Sequence, residues 1–321
     1  MSRPTSTGRP AGWHWSDYWR SGRAEVMTVD TAEGGAVAFD PGPAWRAFFA
    51  TFETGARLLD LATGGGQVAR LAHETATQSG KRFDVTGVDY ADLGPLEGEV
   101  APGLRLTGGV ALERLPFADA AFDGATSQFG IEYADARRAL AELARVLRPG
   151  GRARLLLHHT ASAVSRSTAE QAVAHDRVFV DDAILRAARK AYAAHQRGAA
   201  AGALRTAEDA FREAVRRAGA RLRDDPAYDH ARRDLGYLAD LAGNIARYAP
   251  KSALAGLETF EAGMGAWRAR HASQMKAALD PAGFEAFRAK AQEAGLATED
   301  AGEEQDARGA LIAWRLDLRR G

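Results

Sequence analysis

The chain contains no cysteine. That excludes disulfides and thiolate metal ligands within it. It has no excess of either charge, with 42 Lys plus Arg against 42 Asp plus Glu. Nothing therefore points to a partner chosen by charge, such as duplex DNA or an anionic membrane, and no nucleic-acid partner is expected. No apolar run approaches the roughly 18 residues of a membrane span. The stretch from Met1 to Ala11 is polar, rich in Ser, Pro and Gly, and has no apolar centre. It predicts a disordered tail rather than a signal peptide, and a cytoplasmic location. Internal repeats and low-complexity linkers are also missing. What remains is 321 residues, 46% hydrophobic and 26% charged. That is a globular composition, long enough for one domain and an insertion.

The pattern of apolar runs divides the chain into four parts. Residues 1–44 hold the tail and an aromatic-dense segment, Trp13-His14-Trp15-Ser16-Asp17-Tyr18-Trp19-Arg20, predicted as a short helix. Residues 45–160 alternate short apolar runs with helical periodicity. Strands are expected at Arg57–Leu61, Phe83–Asp89, Leu104–Leu106, Phe122–Ser127 and Arg152–His159, with a helix at Ala136–Leu147 stopped by Pro149-Gly150-Gly151. Strand, helix and strand repeated in this way predict a doubly wound α/β sheet, parallel in its main part. Residues 161–280 turn to alanine-rich helices. Leu204, Phe211 and Val215 lie on one stripe, Leu235, Leu238, Leu241, Ile245 and Tyr248 on a second, and Leu257, Met264, Trp267, His271 and Met275 on a third. Each stripe has the three-and-four spacing of an amphipathic helix. Residues 281–321 return to the sheet through a helix at Pro281–Gly295 and a hairpin of Leu296–Glu299 with Leu311–Leu318.

The segment Leu59-Asp60-Leu61-Ala62-Thr63-Gly64-Gly65-Gly66 carries the most chemical information. A strand runs into a glycine turn and then into a helix. Glycine serves where backbone must turn tightly or let a ligand approach. In an open parallel sheet, ligands bind at the carboxyl ends of the strands. Asp89 closes the second strand where a carboxylate can grip a ribose diol. Gly64, Gly66 and Ala69 also satisfy the G-x-G-x-x-G/A pattern of dinucleotide binders, with Asp89 twenty residues beyond Ala69. An NAD(P)-dependent oxidoreductase is therefore an open alternative at this point.

Further motifs follow in order: Leu115-Pro116-Phe117-Ala118-Asp119-Ala120-Ala121-Phe122-Asp123, then Ser127-Gln128-Phe129-Gly130, then Leu147-Arg148-Pro149-Gly150-Gly151. Together with the glycine loop they resemble class I S-adenosylmethionine (SAM)-dependent methyltransferases, nearest the branch that includes quinone-pathway enzymes. The likeness covers roughly residues 45–160, with a weaker echo at 281–321. It implies a Rossmann-like sheet of seven strands with an antiparallel last strand, interrupted after the fifth strand by the helical segment as a cap. It implies SAM as cofactor and S-adenosylhomocysteine as product. Ala62, Thr63, Gly64 and Gly66 would form the loop under the amino-acid part of SAM. Asp60 would support that loop and the ammonium group. Asp89 would take the ribose hydroxyls, and Tyr90 would pack on adenine. Gln128 and Phe129 would face the methyl group and the acceptor. Two features depart from the family pattern. Ala62 stands where glycine is usual. The third strand is followed by Gly109-Val110-Ala111-Leu112, so adenine is read either by backbone at Ala111 and Leu112 or by the later Glu113. The link from Asp89 to the third strand contains Gly94-Pro95, which predicts a stunted helix there.

SAM carries an electrophilic methyl group, and transfer is an in-line displacement. The protein's main task is to hold donor and acceptor at attack distance, which contributes roughly 7–11 kcal/mol in favourable systems. A base is needed only when the acceptor loses a proton. His158 and His159 end the fifth strand and point to opposite faces by strand alternation. Histidine has a suitable unperturbed pKa for a base. Glu132 and Tyr133 are the further catalytic candidates. Trp13, His14, Trp15, Tyr18 and Trp19 would form a lid over SAM and acceptor, or else staple their helix to the core. Arg20 or Arg23 would reach the SAM carboxylate, or else be solvated. His175, His195, His230 and His271 lack any metal-ligand spacing in sequence, and no metal is expected. Arg216-Arg217, Arg221 and Arg232-Arg233 alternate with acids and predict solvated helix faces. The expected activity is methyl transfer to a small, partly apolar acceptor in a chamber lined by the helical cap. The alternatives are the NAD(P)-dependent oxidoreductase and a SAM-binding module without catalysis.

Overall fold

The computed structural model describes residues 12–20, 28–30, 36–38, 41–179, 183–306 and 308–321. Most of the predicted N-terminal tail, and Arg23, lie outside the described residues. The chain begins with α1 (Trp13–Arg20), β1 (Thr28–Asp30) and β2 (Ala36–Ala38), the two strands making a small sheet of their own. Next come α2 (Gly42–Ala50), β3 (Arg57–Leu61), α3 (Gln67–Gln78), β4 (Asp84–Val88), β5 (Gly98–Ala101), β6 (Leu104–Thr107), β7 (Phe122–Gln128), α4 (Ala136–Val146) and β8 (Leu147–His158). Five helices follow: α5 (Ala163–Val178), α6 (Ala183–Gln196), α7 (Ala201–Gly219), α8 (Asp229–Gly243) and α9 (Pro250–Ala277). α10 (Pro281–Glu293), β9 (Leu296–Gln305) and β10 (Leu311–Arg320) close the chain. Two compact units result: one of residues 1–29, 37–165 and 272–321, the other of residues 30–36 and 166–271.

The first unit is built on a mixed sheet in the order β5-β6-β4-β3-β7-β8-β10-β9. β6, β4, β3, β7 and β8 run parallel, and β10 lies antiparallel to both β8 and β9. Strand alternation sends Leu59 and Leu61 into one core with α4 and α10, and Leu58 into another with α2 and α3. Both faces are thereby covered, as a parallel sheet requires. The helix ends follow from capping chemistry. Asp135 accepts the Arg138 N–H at the start of α4, and Asp280 accepts the Gly283 N–H at the start of α10, where Pro281 stands first.

The sheet has eight strands rather than the seven expected from sequence. The added one is β5, which folds back antiparallel on β6 after a single turn of 3₁₀ helix at Gly94–Leu96. Its residues, Gly-Glu-Val-Ala, carry no apolar run, so periodicity could not mark them. At the other edge, β9 buries only Leu296 and turns acids outward, which discourages further strand pairing.

The second unit packs its helices on a core that includes Phe211, Leu235, Leu238, Leu241 and Leu257. The three stripes supply these positions, but Tyr248 and Met275 are exposed. Tyr248 follows a 3₁₀ turn after α8, and its hydroxyl donates to Asp240 instead. Among the described residues no helix is long and apolar enough to cross a membrane.

Candidate functional site

The carboxyl ends of β3, β4 and β7 meet at one place on the first unit. Asp60, at the end of β3, is buried, and its carboxylate accepts hydroxyl protons from Thr63 at 2.6 Å and Thr126 at 2.8 Å. Burial nevertheless outweighs these bonds and pushes its pKa up to about 6. The loop then reverses direction. Ala62 takes φ +54°, Gly64 φ +50° and Gly66 φ +78°, all left-handed. The Thr63 N–H donates to the Val88 carbonyl, tying loop to β4, and Gly66 opens α3.

Asp89 follows β4 and completes the turn. One of its carboxylate oxygens accepts the Gly64 N–H at 2.8 Å and the other the Ala91 N–H at 2.8 Å. Burial raises its pKa against those two bonds. Each oxygen retains a second lone pair, so the carboxylate can still accept from a ligand hydroxyl.

β7 supplies the third edge. Phe129 takes φ +56°, a left-handed conformation unusual for a bulky residue. Gly130 beside it allows the β3 and β7 loops to touch, since a Cβ there would collide with Ala62 Cβ. The Ser127 hydroxyl donates to the Leu61 carbonyl and accepts the Ile131 N–H, joining the same two loops.

A cavity of about 470 Å³ opens where these turns meet, within the range of small-molecule sites. Ala62, Asp89, Tyr90, Leu112, Glu113 and Phe129 line it, as do Gly130 and Tyr133. From α1, His14, Trp15 and Trp19 form another wall. The Trp19 indole rests on the glycine loop, where a Cβ on Gly64 would strike it. Trp15 meets the Tyr133 ring edge-on, with centroids 5.7 Å apart. Trp13 and Tyr18 are half-buried on α1 but outside the lining, and Arg20 pairs with Asp92 in solvent.

Other expected site residues are placed differently. Ala111 does not line the cavity, whereas Leu112 and Glu113 do. Glu113 also accepts the Asp135 N–H at 2.9 Å. Gln128 turns its amide oxygen to the Trp45 indole N–H at 2.7 Å, away from the lining. Of the glycine turn only Ala62 lines the cavity; Thr63, Gly64 and Gly66, and Asp60 before them, do not.

The two histidines at the end of β8 separate as alternation requires. His158 is buried against Glu132, whose Oε1 lies 2.9 Å from the His158 backbone N and 2.7 Å from its Nδ1. The carboxylate holds the proton on Nδ1 and leaves Nε2 as the basic nitrogen. The imidazole lies 4.5 Å from the Phe129 ring and 5.8 Å from the Tyr133 ring, measured between centroids. The Tyr133 hydroxyl is buried with no hydrogen-bond partner among the described residues. Burial and then the Glu132 charge hold its pKa well above the usual phenol value, so it remains a donor. His159 faces the other way. It accepts the Ala161 N–H and stacks on Trp314 with centroids 4.2 Å apart.

Residues that sequence did not single out include Thr126, Ala91, Gly130 and Ser273. Thr126 and Ser127 had a usable signal, as small hydroxyl residues ending an apolar strand. Ser273 had none, since it reaches the cavity from α9, far along the chain.

Residues 59–155 match a family described as a methyltransferase domain. A ubiquinone/menaquinone biosynthesis C-methyltransferase, UbiE, from Geobacter sulfurreducens is 40% identical over 114 residues, covering 32% of this chain and 41% of that protein. A demethylmenaquinone methyltransferase from Thermus thermophilus is 44% identical over 103 residues, covering 30% of this chain and 44% of that one. The chain thus spans less than half the length of either relative. Among solved structures, the [4+2]-cyclase SpnF aligns over 96% of this chain and 93% of its own, at 16% identity and a TM-score of 0.40. Residues 59–155 are thus similar to a methyltransferase domain, and the order of turns at the sheet edge agrees with that likeness. The match supports S-adenosylmethionine as the cofactor of that domain.

The cavity fits that cofactor on its own terms. It offers a buried carboxylate with spare lone pairs and aromatic walls, while the space over Gly64 is taken by the Trp19 indole. An unpartnered hydroxyl stands at Tyr133.

Proposed function

We propose that this chain transfers a methyl group from S-adenosylmethionine to a small, partly apolar acceptor bound in the 470 Å³ cavity. The observation that carries this is a shared wall. The Asp89 carboxylate and the aromatic group of Phe129 and Tyr133 line one chamber, so nucleoside and acceptor ends adjoin. Bound SAM supplies the electrophilic methyl and the positive charge that departs with sulfur. The protein's residues do the rest. Asp89 holds the ribose hydroxyls, and the Ala62–Gly66 turn cradles the amino-acid end, with Asp60 behind it opposite the ammonium. Leu112 and Glu113 stand at the adenine end, and Tyr90 beside them. Trp15 and Trp19 exclude water from above.

Proton removal falls to the Glu132–His158 pair. Glu132 orients the ring, which stands against Phe129 and Tyr133 outside the cavity lining, and Nε2 would take the proton of an acceptor that reaches past those rings. The Tyr133 hydroxyl donates to an acceptor oxygen, which its raised pKa allows. A carbon acceptor needs such a base, and the first relative is named as a C-methyltransferase of quinone biosynthesis. Demethylmenaquinone is therefore the first acceptor to assay.

A thermal-shift panel of SAM, S-adenosylhomocysteine, NAD and NADP tests the cofactor. SAM and its product should raise Tm, and the nicotinamide nucleotides should not. Stabilisation by NAD alone would overturn the proposal in favour of an oxidoreductase. Production of S-adenosylhomocysteine with an acceptor panel tests turnover. Stabilisation by SAM with no turnover on any acceptor would leave a binding module only.

A further inference from the structure

The second unit contains a histidine–carboxylate cluster that the methyl-transfer reading does not use. His175 on α5 and His230 and Asp234 on α8 bring three ligand atoms within 4.8 Å of one another. Among the described residues, no other group of three such side chains does so. His175 Nε2 lies 3.0 Å from Asp234 Oδ2, and His230 Nε2 lies 3.5 Å from the same oxygen. Tetrahedral zinc with bonds of about 2.0–2.1 Å places neighbouring ligands about 3.3 Å apart, which those two spacings bracket. The sequence could not announce the site. His230 and Asp234 share a helix face four residues apart, but His175 comes from 55 residues earlier and another helix.

The surroundings suit a bound cation. His175 is fully buried, while the side chains of His230 and Asp234 keep 21% and 16% of their surface, enough for entry and for a water in an open position. Trp267 stacks on His230 at 4.4 Å and meets His175 at a tilt at 4.8 Å, centroid to centroid, which restrains both rings. His175 Nδ1 has no partner among the described residues, so no hydrogen bond there opposes a tautomer with Nε2 free for a metal. His230 Nδ1 has one contact, to the exposed Arg233 at 3.4 Å. It is long enough to yield when that nitrogen carries the proton. A carboxylate and two neutral imidazoles are the donor set that borderline divalent transition metals prefer.

We propose that His175, His230 and Asp234 form a binding site for a divalent transition-metal ion, which ties α5 to α8. Such a tie would strengthen the helical unit through ligation rather than through added apolar contact.

The test uses the full chain, stripped with EDTA and titrated with Co²⁺ and then Zn²⁺. One Co²⁺ per chain should bind with visible ligand-field bands, and Zn²⁺ should displace it and abolish them. His230→Ala and the near-isosteric Asp234→Asn should each weaken Zn²⁺ at least about tenfold. His73→Ala, at an exposed histidine of the other unit, should not change affinity. Zn²⁺ should raise the wild-type Tm, and should raise it less in both variants. Circular dichroism of the EDTA-treated variants controls for folding, and Asp234→Asn decides the matter if His230→Ala unfolds. Absence of saturable uptake, weak binding at several sites only, or affinity unchanged in Asp234→Asn would each overturn the proposal.

Discussion

Replacing Asp60 by asparagine should stabilise the free protein at alkaline pH while weakening its hold on SAM. Asp60 is buried under the glycine loop with two hydroxyl donors and no cation. Burial raises its folded pKa to about 6, against 3.8 for a free aspartate side chain. A raised acid pKa favours folding below the unfolded value, and that contribution is lost as pH rises through the folded one. At pH 8 the lost contribution is about 3 kcal/mol, at 1.36 kcal/mol for each pKa unit. Asparagine is neutral at every pH and escapes that cost. It brings an NH₂ where one threonine hydroxyl must turn and accept, at about 1 kcal/mol. The net gain at pH 8 is about 2 kcal/mol, or roughly 3 °C in Tm for a chain of 321 residues.

The pH dependence gives the argument its edge. Linkage reduces the gain to about 0.6 kcal/mol at pH 5 and reverses it near pH 4. Thermal unfolding of wild type and Asp60→Asn without ligand, from pH 4 to 8, should therefore cross between pH 4 and 5. SAM should stabilise the variant less than the wild type, because the charge opposite the ammonium is gone. A variant less stable at pH 8, or a Tm difference constant across the range, would refute the buried-carboxylate reasoning.

Asp89→Asn should weaken SAM roughly 10- to 100-fold by isothermal titration, the worth of a buried bond to a charged acceptor. Gly130→Ala should cost about 1–3 kcal/mol in urea unfolding, since its Cβ would collide with Ala62. It should also weaken SAM, because Ala62 borders the glycine turn. Arg154→Ala should cost about 3 kcal/mol, as Asp317 would keep only Arg315 from a largely buried cluster. Glu132→Gln should lower kcat by about 10²-fold while leaving the SAM-induced Tm shift unchanged, because it disturbs the tautomer of His158 and not the nucleoside pocket.

Local chemistry was legible in sequence and long-range orientation was not. Arg57–Leu61 announced itself as a buried strand because an apolar run ended in glycine, and α10 because Pro281 and Gly295 bracket it. β5 was illegible because an edge strand needs no apolar face. The position of Asp89 followed from its strand, but the direction of Gln128 did not. That direction depends on an indole N–H at Trp45, 83 residues away. The pairing of Glu132 with His158 likewise spans two elements that only the sheet brings together. The histidine cluster of the helical unit shows the same limit, since its spacing exists in space alone.

Several places where the chain breaks local rules lie at one edge of the sheet. Ala62 and Phe129 adopt left-handed backbone without being glycine, as does Ala120 in the turn before β7. Asp60 and Asp89 bury carboxylates against the cost of desolvation. Tyr133 buries a hydroxyl without a partner. Each costs folding free energy of order 1–3 kcal/mol. Neighbouring strand positions such as Leu59, Val85 and Leu155 are buried apolar residues with no such conflict. A surface that only needed to fold would spread such costs or avoid them. Several of them border one cavity, as local conflicts at ligand sites often do, although Ala120 and the buried nitrogens of His159 and His175 lie elsewhere. Under the proposed function, a bound nucleoside would relieve two of these costs together, by giving Asp60 an opposing charge and Asp89 hydroxyl donors.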